Sequence, residues 1–348
     1  MSQYPSEPTF DAAPGATADL ARSVVANVEQ VLRGKTEAIG LALTCLLAGG
    51  HLLIEDVPGT GKTSLAKALA ASFGGTSHRI QFTPDLLPTD ITGVSIWDQG
   101  RAAFEFRPGP VFANVVVADE INRASPKTQS ALLEVMEEAQ VTVDGVGHGV
   151  PRPFLVVATQ NPIDMEGTYR LPEAQLDRFL MRIALGHPSL AVEEEILTGR
   201  ARSAPPELSP VTTPEQFAQA QRSVASVHVA PEIARYVAII AQSTREHEAL
   251  RLAVSTRGSL ALMRAAQTHA ACAGRHYVVP DDVKLTAPAV LTHRLVLAAQ
   301  AEVRGTTTAS VLTEILDGVP VPALSPAQAA PGQYPTARFG ASQSPPQR

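Results

Sequence analysis

Cysteine is scarce in this 348-residue sequence: Cys45 and Cys272 are its only two, far apart inside apolar helical patterns. They offer neither a disulfide framework nor a metal cradle, and both read as small buried hydrophobes in a reducing compartment. The nine histidines show no metal-ligand spacing among themselves or with the cysteines. There is no run of the ~20 apolar residues that a membrane-spanning helix needs. The longest uncharged stretch, residues 38–54, is interrupted by Gly49, Gly50 and His51 and reads as a buried helix, a turn and a buried strand. Residues 1–16 have no basic start and no apolar core, which argues against a secretory leader and for a cytoplasmic protein without direct membrane insertion. Positive charge is also short: 28 Lys and Arg against 34 Asp and Glu give a net charge of −6. That balance disfavours nucleic acid as a partner, since backbone binding needs a basic stripe.

Apolar material, by contrast, is plentiful. Hydrophobic residues make up 45% of the chain and charged residues 18%, enough for a packed core. The length exceeds what one core usually holds, so a larger and a smaller domain are expected. Residues 1–16, with Pro5, Pro8, Pro14 and Gly15, read as a flexible tail, and 325–348, rich in Pro, Gln, Ala and Ser, as a disordered one. Across 17–187, short aliphatic runs at 51–55, 114–118, 153–159 and 180–185 alternate with amphipathic stretches. Near-continuous apolar strands separated by helices predict an α/β fold with a parallel sheet covered on both faces. Across 188–324 the strand pattern disappears. Ile233, Tyr236, Val237 and Ile240 fall at helical spacing, as do Leu260 and Met263, which predicts a smaller all-helical domain. Residues 94–106, centred on Asp98-Gln99-Gly100, and 141–153, centred on Asp144-Gly145, read as β-hairpins inserted into the α/β region.

The strand Leu52-Leu53-Ile54 runs into Asp56-Val57-Pro58-Gly59-Thr60-Gly61-Lys62-Thr63-Ser64 and then a helix with Leu65, Leu69 and Phe73 on one face. Strand, glycine-rich loop and helix start is the context of a phosphate-binding loop. Gly59 and Gly61 let backbone N–H groups turn toward phosphate oxygens. Lys62 is expected to reach the β- and γ-phosphates of ATP, and the Thr63 hydroxyl to ligate Mg²⁺. The pattern departs from the full motif at its first position, where Asp56 replaces glycine.

A second apolar strand, Val115-Val116-Val117-Ala118, ends in Asp119-Glu120. Two carboxylates at the carboxyl end of a buried strand stand where open α/β sheets bind ligands. Asp119 is expected to hold Mg²⁺ and Glu120 to polarise the attacking water. A third strand ends in Thr159-Gln160-Asn161-Pro162, where Asn161 is a candidate to sense the γ-phosphate or place the water. Arg178 stands near the end of a short helix, where a cation is mildly favoured. Arg257 opens a helix, where the dipole disfavours one unless an anion lies opposite.

Together these residues resemble the AAA+ ATPases and, within them, the MoxR family. The resemblance runs through Val57–Thr63, Asp119-Glu120-Ile121-Asn122-Arg123-Ala124, Thr159–Pro162, Leu171-Pro172-Glu173-Ala174-Gln175-Leu176-Asp177-Arg178-Phe179 and Ser255-Thr256-Arg257-Gly258-Ser259-Leu260. It implies a three-layer αβα domain with a helical lid, Asn161 as first sensor, Arg178 as a finger toward a neighbour's nucleotide and Arg257 as second sensor. Arg170 stands where the family pattern has proline. The resemblance further implies a homo-oligomer, a hexamer, that remodels partner proteins, among them proteins with a metal-binding von Willebrand A domain. Two alternatives stay open: a nucleic-acid motor, since helicase-like relatives carry similar hairpins, and a nucleotide-gated adaptor with little turnover. The hairpin tips, Trp97-Asp98-Gln99-Gly100-Arg101 and Asp144-Gly145-Val146-Gly147-His148, hold one firm cation between them, which favours the protein remodeller.

Overall fold

A computed structural model describes residues 15–161, 169–198 and 206–322. Pro162, most of the first expected tail and all of the second lie outside the described residues. Gly15 and Ala16 already belong to the first helix.

Helices α1 (Gly15–Glu29) and α2 (Thr36–Leu47) precede strand β1 (Leu52–Glu55), helix α3 (Lys62–Ser72) and strand β2 (Ser77–Gln81). The short α4 (Pro88–Thr92) feeds the hairpin β3 (Gly93–Asp98) and β4 (Ala103–Pro108). Next come β5 (Val115–Asp119), α5 (Pro126–Glu138), the hairpin β6 (Gln140–Val143) and β7 (Val146–Gly149), β8 (Leu155–Gln160), α6 (Glu173–Leu176) and β9 (Met181–Ile183). Ser125 caps α5 by accepting the Thr128 amide, and Pro126 occupies the first turn where its missing N–H costs nothing.

The five long-range strands form one parallel sheet in the order β2-β5-β8-β1-β9. Alternate side chains enter opposite cores. Leu52, Ile54, Val115, Val117, Leu155 and Val157 pack with the helices α1, α2 and α3 and with the lid. Leu53, Val116, Ala118, Val156 and Ala158 pack with α5 and the hairpin roots. Burying each such side chain contributes about 1.5–3 kcal/mol, which is why near-continuous apolar runs specify a doubly covered sheet.

Strand β2 was not foreseen, because Ser77-His78-Arg79-Ile80-Gln81 is polar and only Ile80 of the five is buried. It is an edge strand held by five paired positions along β5 rather than by apolar contacts.

The second region holds α7 (Leu190–Leu197), α8 (Pro214–Val224), α9 (Pro231–Glu246), α10 (Thr256–Cys272), α11 (Pro280–Leu291), α12 (Ala299–Val303) and α13 (Thr308–Gly318). It is helical except for a small antiparallel ribbon, β10 (Leu250–Leu252) with β11 (Val296–Leu297), too short to leave a periodic signal. The buried Arg294, just beyond α11, ties the lid to the segment after α6. Its Nε donates to Asp177 at 2.7 Å and its Nη2 to the Phe179 carbonyl at 2.7 Å. Burial pulls this guanidinium below its usual pKa, and Asp177 opposes the shift. Cys45 and Cys272 are both free thiols. Burial raises both, Cys272 to about 12, so neither is a ready nucleophile. Among the described residues no group of His, Cys, Asp and Glu forms a metal site, and no helix is long and apolar enough to cross a membrane.

Candidate active site

The loop between β1 and α3 sits at the carboxyl end of the sheet. Gly59 and Gly61 have φ of +85° and +95°, a region that L side chains rarely adopt, and Gly61 is the residue from which α3 starts. The α3 N-terminus therefore presents free amides and its positive dipole end to the loop. Lys62 Nζ donates to the Asp56 and Val57 carbonyls at 2.7 and 3.0 Å, curling the lysine over the loop that a phosphate would fill. Thr60 donates to the Val57 carbonyl at 3.3 Å. Pro58 and Gly59 are exposed, and Val57, Thr63 and Ser64 are half-buried.

Asp56 explains its own departure from glycine. It is buried and is not among the residues with positive φ, so the conformational freedom of glycine is not needed there. Its carboxylate accepts the amides of Val57 at 2.8 Å, Leu185 at 2.8 Å and Gly186 at 2.7 Å. Burial disfavours the charge, but the Gly186, Val57 and Leu185 amides and Lys62 together hold the carboxyl below its usual range. The side chain thus ties the phosphate loop to the segment leaving β9. A cavity of about 550 Å³ adjoins this point, walled by Gly34, Lys35, Ala38, Leu185, Pro288 and Thr292 among others.

Asp119 ends β5 and Glu120 follows it, at the same carboxyl end of the sheet as the loop and one strand, β8, away from β1. Thr159 of β8, fully buried, donates to Asp119 Oδ1 at 2.6 Å and receives the Glu120 amide at 2.9 Å. Glu120 stands in the left-handed region at φ 55°, a strained position for a non-glycine residue, where the chain leaves the strand for a short 3-10 turn. Strand β2 supplies the other partners: Arg79 Nε donates to Asp119 Oδ2 at 3.0 Å, and Gln81 Nε2 to Glu120 Oε2 at 3.1 Å. Arg123 Nε lies 3.2 Å from the same Glu120 oxygen. Thr159, Arg79 and Gln81 were missed as site residues. Thr159 lay within a recognised motif, but the two β2 residues left no signal.

Asn161 follows β8 directly, half-buried at the carboxyl edge with the acidic pair. Arg178 lies just beyond α6 rather than inside it. Its Nη1 donates to the Leu133 carbonyl at 2.7 Å and lies 2.9 Å from Glu137 Oε2. Arg257, in the first turn of α10, reaches the other oxygen of Glu137 at 3.5 Å. The two arginines therefore share a face of α5, and their partners belong neither to the phosphate loop nor to the acidic pair.

A phosphate loop at β1, a carboxylate pair at β5, a polar residue after β8 and a helical lid define the chain as an AAA+ ATPase. Residues 51–181 match the ATPase family associated with various cellular activities, and 242–315 match an AAA lid domain. The chain is 50% identical over 299 residues to Bacillus subtilis YeaC, covering 86% of this chain and 93% of that protein. It is 41% identical over 334 residues to the chaperone MoxR1 of Mycobacterium tuberculosis, covering 92% and 88%. A crystal structure of a proposed ATPase from Cytophaga hutchinsonii superposes with a TM-score of 0.83 at 35% identity, covering 89% and 97%. The chain belongs to the MoxR family of AAA+ ATPases.

Proposed function

We propose that this ATPase is Mg²⁺-dependent, works as a homo-hexameric ring and uses hydrolysis to remodel or activate partner proteins in the cytoplasm, with von Willebrand A domain proteins as the client class. The observation that carries the ring is the position of Arg178. Its partners, Leu133 and Glu137, lie on α5 and belong neither to the phosphate loop nor to the acidic pair of its own chain, which favours a charge offered to nucleotide held by another copy. A protein client is supported by the relative named as a chaperone, and the von Willebrand A class by the family resemblance alone.

In this reading the Gly59–Thr63 amides cradle the phosphates and Lys62 leaves its carbonyl partners for the β/γ-phosphate oxygens. Thr63 and Asp119 are the residues that would hold Mg²⁺, which supplies charge neutralisation when bound. Glu120 orients and deprotonates water, Asn161 contacts the terminal phosphate, and Arg178 faces the neighbouring chain; Arg257, expected as a second sensor, shares the Glu137 carboxylate with Arg178 and is read as facing the same way. The cavity beside Leu185 has room for the base.

The test is complementation. Lys62→Ala subunits lose nucleotide binding but still present Arg178, and Arg178→Ala subunits bind ATP but lack the finger. Glu120→Gln should bind ATP without turning it over. A finger supplied in trans is worth roughly 10³–10⁵ in rate. Each of the Lys62 and Arg178 variants alone should be inactive, and a mixture should regain part of the activity. Mixtures that co-assemble and stay inactive would sink the shared site. Magnesium-independent turnover would remove the metal from it.

A further inference from the structure

Glu137 stands in the last turn of α5, and its carboxylate is shared between two arginines from different domains. Arg178 comes from the segment after α6 and lies 2.9 Å from Oε2; Arg257 comes from the lid and lies 3.5 Å from Oε1. All three side chains are partly open to solvent, at 30%, 51% and 46% exposure for Arg178, Arg257 and Glu137. Ion pairs this exposed contribute only about 0–1 kcal/mol, so stability is a poor account of the arrangement. Its consequence is positional, because one carboxylate brings two guanidinium groups together, and that carboxylate and Arg178 line a cavity of about 270 Å³. Gln175 lines the same cavity, and its side-chain oxygen is buried without a hydrogen-bond partner.

We propose that Glu137 is an internal counter-ion that parks Arg178 and Arg257 as a pair, and that the terminal phosphate of ATP held by a second copy of this chain must displace it. The proposal rests on the shared-site reading above. A carboxylate offers each arginine one oxygen, whereas a terminal phosphate has three oxygens and can take bidentate bonds from both. Competition with Glu137 therefore restrains hydrolysis until a neighbour's nucleotide is in place. Glu137 is a positioning residue in this scheme, since it acts only through the arginines.

The expected result is that Glu137→Gln and Glu137→Ala each raise kcat in the assembled protein by about threefold or more, the equivalent of ~0.7 kcal/mol of barrier. The gain should shrink as salt is raised, because screening weakens the parked triad in the wild type. It should shrink in an Arg257→Ala background, which leaves Glu137 only one arginine to hold. Glu134→Gln removes a charge from the same cavity wall without an ion pair to either arginine, and should leave the rate within about twofold. Rates are compared below the melting transition of each variant, so loss of fold does not enter. An unchanged or lower kcat in both Glu137 variants overturns the proposal, as does an equal gain from Glu134→Gln. If Lys62→Ala and Arg178→Ala subunits complement each other while the Glu137 variants show no gain, only the counter-ion is wrong. If they do not complement, the shared site itself fails.

Discussion

The Thr159 hydroxyl donates to the Asp119 carboxylate at 2.6 Å and accepts the Glu120 amide at 2.9 Å, so one buried threonine on β8 orients both acids at the end of β5. Without it, Asp119 loses a charge-assisted bond and the strained Glu120 backbone loses its anchor. A hydrogen bond to a charged group contributes about 1.5–3 kcal/mol. Thr159→Val keeps the shape and should lower kcat by roughly 10- to 100-fold while ATP binding persists. Thr159→Ser should recover most of the rate. Steady-state kinetics beside a nucleotide-binding titration separates the two effects, and a valine variant with normal kcat would remove Thr159 from the site.

Asp56 replaces a glycine without a glycine's backbone, and its three amide bonds hold the loop against Leu185 and Gly186. Asp56→Gly restores the usual phosphate-loop pattern on paper, yet it should destabilise the protein by about 2 kcal/mol and weaken ATP binding. The carboxyl is held below its usual pKa, so this contribution is complete above the unfolded-state value and fades only as pH falls below it. Equilibrium denaturation at neutral pH tests the claim. An Asp56→Gly protein as stable as the wild type would show that the tie is dispensable.

His51 sets a milder pH limit. Its Nδ1 accepts the Val156 amide at 3.0 Å, which leaves Nε2 to donate to the Met136 carbonyl at 2.9 Å, so the ring is neutral. Burial, with a smaller push from Arg264 and against the Met136 carbonyl, lowers its pKa to about 4. The unfolded chain, near 6.5, binds the proton first as pH falls, so stability is full above about 6.5 and declines toward 4. His51 accounts for up to about 3 kcal/mol of that loss. The buried His293 shifts the same way and steepens it. Denaturation midpoints between pH 7.5 and 5 should fall accordingly, and a flat profile would contradict the neutral ring.

The exposed rings of Trp97 and Phe104 pair across the first hairpin at 5.2 Å, and Trp97 is the chain's one tryptophan. Aromatic rings could stack on bases, but a strand-binding groove also needs positive charge. The cation at the hairpin tip, Arg101, already lies 3.9 Å from Asp98 and 3.6 Å from Glu105. Single-stranded oligonucleotides at physiological salt should neither change Trp97 fluorescence nor stimulate ATP hydrolysis. Strong stimulation with quenching would favour a nucleic-acid motor over a protein remodeller.

What the sequence determined by itself was local in the chain. Gly59, Gly61, Lys62 and Thr63 follow an apolar strand, Asp119 and Glu120 end another, and Ser125-Pro126 starts a helix; each signal sits within one turn or strand. Both hairpins were legible for the same reason, through Asp98-Gln99-Gly100 and Asp144-Gly145. Tertiary structure alone decided the partners. Arg79 and Gln81 reach the acidic pair because polar β2 pairs with β5 in one register, and a slip of one residue would turn both side chains to the other face. The bond from Leu185 to Asp56 joins residues 129 apart, and Arg178 meets Arg257 only because the lid brings the start of α10 to Glu137 of α5. Such contacts arise from strand order and domain packing, and no periodicity along the chain records them.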